Sequence, residues 1–450
     1  MTHHPRARAE SPVDGALNLP PLPGRMPPIL RPFQAFAQME SSGGLILMAA
    51  AVAALAWANS PWHATYTALW HVPVTIGAGP WRLELSLEHW ISDGLMAVFF
   101  FLVGMEIKRE AVLGDLANPR QAALPIVAAV GGMVVPALLY MAVNPGSPGW
   151  GVPMATDIAF SLGVLALLGP RVPIGLKLFL TTLAIVDDIG AVVVIALFYT
   201  SALAWGYLLA AVAILAALAA LNRLDVRSPL VYACLGAALW LAFLGSGIHA
   251  TVAGVLLAMT IPAHARIDAD AFVRHGRSIL DAFARGGGMG ADVDSSLDQQ
   301  AAVDALEAVC DHVQSPLQQL EHALHPWVTF AILPLFALAN AGVRLVDVRR
   351  AEVLDATSLG IVAGLVVGKP VGITLFSRLA VRLGWADLPP GVTWRQVGAV
   401  GCLAGIGFTM SLFVAHLAFE PSALAQARLG ILVASGIAGG LGWVLLRRQG

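Results

Sequence analysis

The segment Leu183-Ala-Ile-Val-Asp-Asp-Ile-Gly-Ala191 places two adjacent carboxylates at the middle of an apolar run that extends from Pro173 to Tyr199. A helix needs about 20 residues to cross a bilayer, so this run is long enough. Burying one carboxylate in hydrocarbon is costly, and two neighbouring carboxylates also repel each other. We therefore predict that Asp187 and Asp188 are functional, although a structural ion-pair site is the alternative.

The composition indicates a membrane protein. The 450 residues are 58% hydrophobic and 12% charged, with a mean hydropathy of +0.75, whereas soluble domains are roughly 45–50% apolar and 25% charged. A net charge of −2 gives no indication of a nucleic-acid partner. Cys234, Cys310 and Cys402 lie far apart, without the spacing of a disulfide framework or a zinc site. We expect a membrane protein that has no cofactor and is not an enzyme.

Apolar runs of about the length of a bilayer recur along the chain. The sequence therefore predicts an all-α polytopic membrane protein with about twelve transmembrane helices. The predicted spans are 41–59, 87–105, 121–143, 150–168, 174–199, 203–220, 229–244, 247–262, 326–343, 357–383, 396–416 and 424–446. The seventh and eighth are short, which suits a tilted or partial span.

Basic residues predict the orientation. If the first span starts inside, twenty of the 26 Lys and Arg residues fall in inside loops, which favours cytoplasmic termini. Residues 1–40 are rich in Pro, Arg and His and lack an apolar signal segment, so we expect a disordered cytoplasmic tail. The first eight helices then lie within 41–262, a cytoplasmic insert occupies 263–325, and the last four helices lie within 326–446.

One outside loop has the pattern of a β-hairpin. Residues 71–85 alternate apolar and polar side chains around a Gly-Ala-Gly-Pro turn. An exposed strand edge can pair with a second chain. We therefore predict a homodimer formed through this hairpin.

The paired aspartates suit an exchange of cations. Consecutive helical residues point about 100° apart, so Asp187 and Asp188 can line one cavity without stacking on one face. Carboxylate oxygens suit hard cations such as Na⁺ or Li⁺. Desolvation and mutual repulsion also favour the uptake of a proton. The pair is therefore a candidate site at which protons and a metal cation compete.

Two spans show signs of interruption. Thr156 and Asp157 follow Gly and Pro in the span 150–168, and they can cap a helix that restarts there. Three glycines weaken the span 396–416 at Gly401-Cys-Leu-Ala-Gly-Ile-Gly-Phe-Thr-Met410, although they also suit close helix packing. For Asp157, a cap alone and a cap with cation access remain open.

These two spans are the middle members of three-span groups, 121–199 and 357–446, which enter the membrane from opposite sides in the predicted topology. Such groups are typical of inverted-topology repeats with two crossed, interrupted helices. Lys369 lies near the middle of the tenth span and needs a buried counter-charge. Either Asp187 or Asp188 can supply it, in a structural bridge or in a proton-exchanging one.

Several long motifs closely resemble those of bacterial NhaA-type Na⁺/H⁺ antiporters, in order along 41–262 and 315–446. The motifs are Ala155-Thr-Asp-Ile-Ala-Phe-Ser-Leu-Gly-Val-Leu-Ala-Leu-Leu168, Leu183-Ala-Ile-Val-Asp-Asp-Ile-Gly190, Leu324-His-Pro-Trp327, Leu333-Pro-Leu-Phe-Ala-Leu-Ala-Asn-Ala-Gly-Val343, Gly368-Lys-Pro370 and Gly405-Ile-Gly-Phe-Thr-Met410.

The resemblance implies an electrogenic antiporter of the bacterial inner membrane that expels Na⁺ or Li⁺ in exchange for protons. It also implies twelve helices with inverted repeats. Asp187 and Asp188 would bind the cation or protons. Thr156 and Asp157 would lie where the unwound helices cross, and Lys369 would face the aspartates.

The same resemblance implies a cytoplasmic funnel that regulates transport by pH, although charges at helix ends can equally mark the membrane interface. This sequence departs from the family pattern at Gln318 and Gln319, where well-known members carry basic residues, and in the longer insert 263–314. The pH-response candidates are Glu106, Arg109, Glu110, His249, Glu321 and His325.

Other functions fit the sequence less well. A cation-coupled solute transporter of the same fold would need more polar groups at mid-membrane than the aspartates and Lys369 provide. An intramembrane aspartyl protease needs its two aspartates on different helices, whereas Asp187 and Asp188 are adjacent. A passive cation channel is disfavoured because a buried lysine beside the site would repel a resting cation.

Overall fold

The computed structural model describes residues 42–78, 81–200, 203–286, 297–344 and 355–449. The predicted tail, residues 1–40, lies outside the described residues. In chain order, the helices are α1 Ser42–Ala58, α2 His63–Trp70, α3 Leu87–Val112, α4 Pro119–Val143, α5 Ile158–Ala166, α6 Ile174–Phe198, α7 Trp205–Arg223, α8 Pro229–Ser246, α9 Val252–Thr260, α10 Ala269–Gly286, α11 Leu297–Val313, α12 Pro316–Asn340, α13 Ala356–Arg382, α14 Trp394–Ala404, α15 Phe408–Ala418 and α16 Pro421–Arg447.

Within the described ranges, nine helical stretches are long and apolar enough to cross a membrane. Eight are α3, α4, α6, α7, α8, α12, α13 and α16, and the ninth joins a 3₁₀ segment at Pro148–Met154 to α5. Two bent pairs raise the number to as many as 11: α1 with α2, bent by 116°, and α14 with α15, bent by 47°. The prediction of an all-α polytopic membrane protein is confirmed.

The predicted eighth span, 247–262, is only partly helical. Gly247 ends α8 in the left-handed conformation with φ at 89°. Residues 247–251 form no helix, and α9 contains only nine residues. At 1.5 Å per residue such a helix is too short to cross a bilayer alone. The eighth of the predicted spans is therefore a partial one, and the 9 to 11 candidate spans among the described residues agree with the prediction of about twelve helices.

A β-hairpin separates α2 from α3. Strand β1, Pro73–Ala78, pairs antiparallel with β2, Trp81–Ser86, with Ile76 opposite Leu83. Trp90, in the first turns of α3, donates its indole N–H to the Val74 carbonyl at 3.1 Å. The hairpin is thereby fixed to the start of a membrane-spanning helix.

Helices α4 and α13 pack closely along a surface of small residues. A Cβ added at Gly131 would meet Phe376 and the Gly372 carbonyl, and a Cβ added at Gly372 would meet the Gly131 backbone. Two glycines at one crossing let the backbones approach as larger residues would not. A π-helical turn in α13, Gly364–Gly368, ends directly before Lys369. Such turns often occur at functional sites, because the extra residue changes the direction of the next side chain.

Candidate ion-binding site

The two interrupted helices meet at their breaks. The backbone N–H of Asp157 donates to the Ile406 carbonyl at 2.7 Å. The Thr156 hydroxyl lies 2.9 Å from the carbonyl oxygen of Ala404, the last residue of α14. A break leaves backbone groups without intrahelical partners, and these bonds across the crossing satisfy some of them. The prediction that these two spans are interrupted and cross each other is confirmed. The inverted orientation of their groups remains a prediction.

Asp157 binds the N-terminal ends of two helices. Its Oδ1 accepts from the Phe160 N–H at 2.9 Å and caps α5. Its Oδ2 accepts from the Thr409 N–H at 3.0 Å and from the Thr409 hydroxyl at 2.5 Å, in the first turn of α15. Because helix N-termini carry partial positive charge, the carboxylate suits both ends. Both oxygens of Asp157 are thus used by the protein itself.

Thr409 is the residue that the sequence reasoning missed. The sequence marked its surroundings, Gly401–Met410, as a weak point in a span, but gave no separate reason to select the threonine. The available signal was a hydroxyl placed just after the last of three glycines, where a restarting helix has unsatisfied N–H groups.

Lys369 pairs with Asp187 in the interior. The Lys369 ammonium lies 2.7 Å from Asp187 Oδ2, and it also donates to the Met154 carbonyl. The Thr156 hydroxyl lies 2.6 Å from the same Asp187 oxygen. The side chains of Lys369 and Asp187 are fully buried. Of the two aspartates predicted to neutralise Lys369, Asp187 makes the contact.

Asp188 has a different environment from its neighbour. It is only 1% exposed, yet neither of its carboxylate oxygens has a hydrogen-bond partner among the described residues. It lines a cavity of about 400 Å³, together with Asp157 and Thr409. Asp187 does not line this cavity. The separation of about 100° between consecutive helical side chains accounts for the difference.

The charges at this site do not balance when every group is ionised. Asp187 and Asp188 would carry two negative charges, and Lys369 supplies one positive charge against them. An uncompensated charge away from water is costly. A proton on Asp188, or a cation bound to it, removes the imbalance, so the arrangement favours an exchange between the two.

Most of the predicted pH-response residues lie together at the far end of α3. Arg109 bonds Glu321 at 2.5 Å and Glu110 at 3.2 Å. Glu106 and His325 line the same cavity as Asp188. One chamber therefore connects the buried aspartate with this charged cluster.

Gln318 has a structural place near the cluster. It forms a capping box with Ser315 at the start of α12, in which the Ser315 N–H donates to the Gln318 side chain at 3.3 Å. A basic residue could not accept that hydrogen bond. The departure from the family pattern at Gln318 thus stabilises a helix end.

His249 lies apart from this cluster. Its Nε2 is 3.5 Å from Asp93 Oδ1, and its Nδ1 is 2.8 Å from the Thr251 hydroxyl. Asp93 precedes Glu106 on α3 by roughly 20 Å of helix axis. His249 does not line the cavity of Asp188. The structure therefore divides the six pH-response candidates into a group of five and a separate histidine.

Comparison with known proteins agrees with this arrangement. The sequence model of the family described as Na⁺/H⁺ antiporter 1 matches residues 34–446. The chain belongs to this family. It is 49% identical over 425 residues to the Na⁺/H⁺ antiporter NhaA of Koribacter versatilis, covering 94% of this chain and 92% of that protein. It is 50% identical over 434 residues to NhaA of Oleidesulfovibrio alaskensis, covering 95% and 96% respectively.

A third relative extends the match over almost the whole length. NhaA 1 of Myxococcus xanthus is 46% identical over 450 aligned residues, covering 97% of each chain. All three of these relatives carry the name Na⁺/H⁺ antiporter. Together with the apolar helices, the comparisons identify a multi-pass bacterial membrane protein.

Proposed function

We propose that this chain is an electrogenic antiporter of the bacterial inner membrane, which expels Na⁺ or Li⁺ in exchange for protons by alternating access. Asp188 is the principal ligand of the transported cation, and Asp187 is the second. The observation that carries the proposal is the environment of Asp188: a fully buried carboxylate without a protein partner among the described residues, facing a cavity.

Competition for the aspartate oxygens couples the two fluxes. A cation that binds Asp188 displaces its proton, because both neutralise the same charge. If the cation also attracts Asp187, it weakens the 2.7 Å pair with Lys369. An ammonium that loses its buried counter-charge tends to release a proton. Two protons then enter for each cation that leaves. Each cycle therefore moves one net positive charge across the membrane, and transport is electrogenic.

Access to the site in this conformation runs along the cavity past Glu106 and His325. The end of α3 that borders the cavity carries Lys108 and Arg109, and the positive-inside rule assigns such ends to the cytoplasm. We therefore propose that the cavity opens inward, that both termini are cytoplasmic, and that the cluster around Glu321 regulates transport by pH.

The opposite end of the helix bundle is held by polar contacts. Arg428 donates to Glu88 at 3.2 Å and to the Asn340 side chain at 3.1 Å. These contacts join the first turn of α3, the last residue of α12 and the N-terminal part of α16. Their separation would be required when the site opens to the other side.

The test is proton release in everted membrane vesicles with an imposed pH gradient. Adding Na⁺ or Li⁺ should collapse the gradient, and adding K⁺ should have far less effect. Asp188→Asn should abolish the response, whereas Asp270→Asn, which removes an exposed carboxylate outside the spans, should not. A normal Na⁺ response in Asp188→Asn would refute the proposed site.

Two further measurements test the finer parts of the proposal. In sealed proteoliposomes, Na⁺ uptake should generate a membrane potential, and its absence would refute electrogenic exchange. Glu321→Ala and His325→Ala should shift the pH profile of transport. Unshifted profiles in both variants would leave these residues as markers of the membrane interface.

The hairpin of β1 and β2 supports a proposed homodimer. Ile76 is an exposed apolar side chain on β1, where a second copy could pair. A chain whose three native cysteines are replaced, and which carries one cysteine introduced by Ile76→Cys, should form a cross-linked dimer in membranes. A cross-link that depends on protein concentration would instead indicate random collision.

A further inference from the structure

The segment between α9 and α12 contains a helix with two unlike faces. At 100° per residue, the side chains of α10 separate into an apolar arc and a charged one. The apolar arc contains Phe272, Val273, Ile279, Leu280 and Phe283. The charged arc contains Arg274, Arg277, Asp281 and Arg285. This pattern is typical of a helix that lies between an apolar phase and water.

The neighbouring helix covers only part of the apolar arc. Helices α10 and α11 pack against each other. Phe272, Ile279 and Phe283 are partly buried. Val273 and Leu280, at the other edge of the arc, remain 47% and 56% exposed. An apolar edge therefore stays uncovered among the described residues.

Both ends of the helix pair are held at the ends of membrane-spanning helices. The Leu317 N–H, in the first turn of α12, donates to the Pro262 carbonyl at 3.3 Å. Arg266 donates to Asp225 at 3.1 Å, and Asp225 lies in the short connection between α7 and α8. Lys108, near the end of α3, donates to the Met259 carbonyl at 2.7 Å. The pair thus begins and ends where four spans leave the membrane.

The hydrogen bonds of Arg227 and Arg266 to Asp225 persist in acidic solution. Hydrogen bonds from Arg227 and from Arg266 hold the pKa of the Asp225 carboxyl below its usual range. The carboxylate therefore stays charged, and keeps both partners, below the pH at which a free aspartate takes up a proton.

The charges beside the exposed edge indicate the chemistry of the partner that this edge would contact. Arg277 adjoins Val273 on the helix wheel. The exposed charges that follow on the same flank are Asp270, Asp281, Arg274 and Arg285, so the flank holds three arginines against two aspartates. Exposed Asp304 and Glu307 lie on α11 instead. Apolar side chains flanked by arginine suit a bilayer surface with anionic headgroups, because the chains enter the interface while the guanidinium groups bind phosphate.

We propose that α10 lies on an anionic lipid surface, with Val273 and Leu280 inserted between headgroups and with Arg274 and Arg277 bound to lipid phosphates. The inferred cytoplasmic location of the segment agrees with this partner, since that leaflet is the anionic one. The segment is thus a second attachment to the bilayer, parallel to its surface, in addition to the spans.

The test uses the full-length chain in lipid vesicles. The native cysteines are replaced, a single cysteine is introduced by Leu280→Cys, and an environment-sensitive fluorophore is attached to it. The matched control is Ser278→Cys, an exposed position about 160° away on the same helix. Na⁺-driven proton release by each labelled protein verifies folding.

In vesicles of phosphatidylglycerol and phosphatidylcholine, a spin-labelled lipid should quench the probe at 280 several-fold more than the probe at 278. The difference should disappear in pure phosphatidylcholine and in Arg274→Glu/Arg277→Glu. Equal quenching at the two positions in the anionic vesicles would overturn the proposal. A probe at 280 shielded from both lipid and aqueous quenchers would also overturn it, and would indicate a protein partner such as a second copy.

Discussion

Asp157 and Asp188 line the same cavity, but the protein uses the two carboxylates in opposite ways. Asp157 accepts three hydrogen bonds, which come from the ends of two interrupted helices. Asp188 accepts none from the described residues, although it lies on an unbroken helix and is equally buried. Buried polar groups in proteins are nearly always paired, so Asp188 is the more informative of these two residues.

The two residues differ in how the cost of burying a charge is compensated. At Asp157 the fold itself compensates the charge, and the carboxylate holds the crossing together. At Asp188 no described residue compensates the charge, and in the proposed function a proton or a cation does so. The proposed principal ligand has the second arrangement, because a carboxylate whose two oxygens are both bound by fixed donors would have little affinity left for an ion.

The largest effect is expected for Asp188→Asn, which should reduce Na⁺-driven proton movement to the background of empty vesicles. Thermal stability should be unchanged or higher, because the change removes a buried charge without breaking a protein contact. The measurements are gradient collapse in vesicles and the unfolding midpoint of purified protein. A large fall in the midpoint would mean that Asp188 has a structural role like that of Asp157.

The second largest effect is expected for Lys369→Met. Removing one partner of a buried pair leaves Asp187 uncompensated, at a cost of about 3–5 kcal/mol in stability. Adding Asp187→Asn should restore most of the loss, since both charges are then absent. The unfolding midpoints of the two variants provide the measurement. Equal instability of the single and double variants would contradict the pairing.

A smaller effect is expected for Thr409→Val, which keeps the shape of the side chain and removes the hydroxyl that donates to Asp157. Loss of a hydrogen bond to a charged group costs about 1.5–3 kcal/mol. Thr409→Ser should retain most of the stability. If Asp157 acts mainly at the crossing, the Na⁺ concentration for half-maximal transport should change little, and a large change would assign Asp157 to the ion.

The smallest effect is expected at the opposite end of the bundle, for Glu88→Gln. Its pair with Arg428 is partly exposed, with side-chain exposures near 17%, and such pairs contribute about 1 kcal/mol or less. A double-mutant cycle with Arg428→Gln measures the coupling. A coupling as large as that of Lys369 with Asp187 would show that this end is as tightly held as the centre.

Much of this arrangement could be predicted from the sequence. The apolar runs predicted the spans, the aspartates and Lys369 were conspicuous in hydrocarbon, and Gly and Pro marked the breaks. The assignment of Lys369 to Asp187 could not be predicted, because two consecutive carboxylates differ only in the direction that helix packing gives them. Hydropathy marked the eighth span as short, but the start of the half-length helix α9 could not be placed, because hydropathy does not record the left-handed turn at Gly247.

The roles of single contacts were also beyond sequence reasoning. Thr409 is distinguished only by a partner more than 200 residues away. The contact of His249 with Asp93, at the opposite end of α3 from the cluster at Glu321, also gave no signal in the sequence. Local patterns determine elements, whereas these pairings depend on which helices cross.

Thr156 has one hydroxyl proton and two acceptors within reach, Asp187 Oδ2 and the Ala404 carbonyl. It can donate to only one of them at a time. While Asp187 is ionised, the proton is best used on the carboxylate. When Asp187 is protonated, the carboxyl can donate to Thr156, and the hydroxyl can turn to the end of α14. Rotation about a single bond thereby couples the charge of a buried acid to a hydrogen bond at the end of α14.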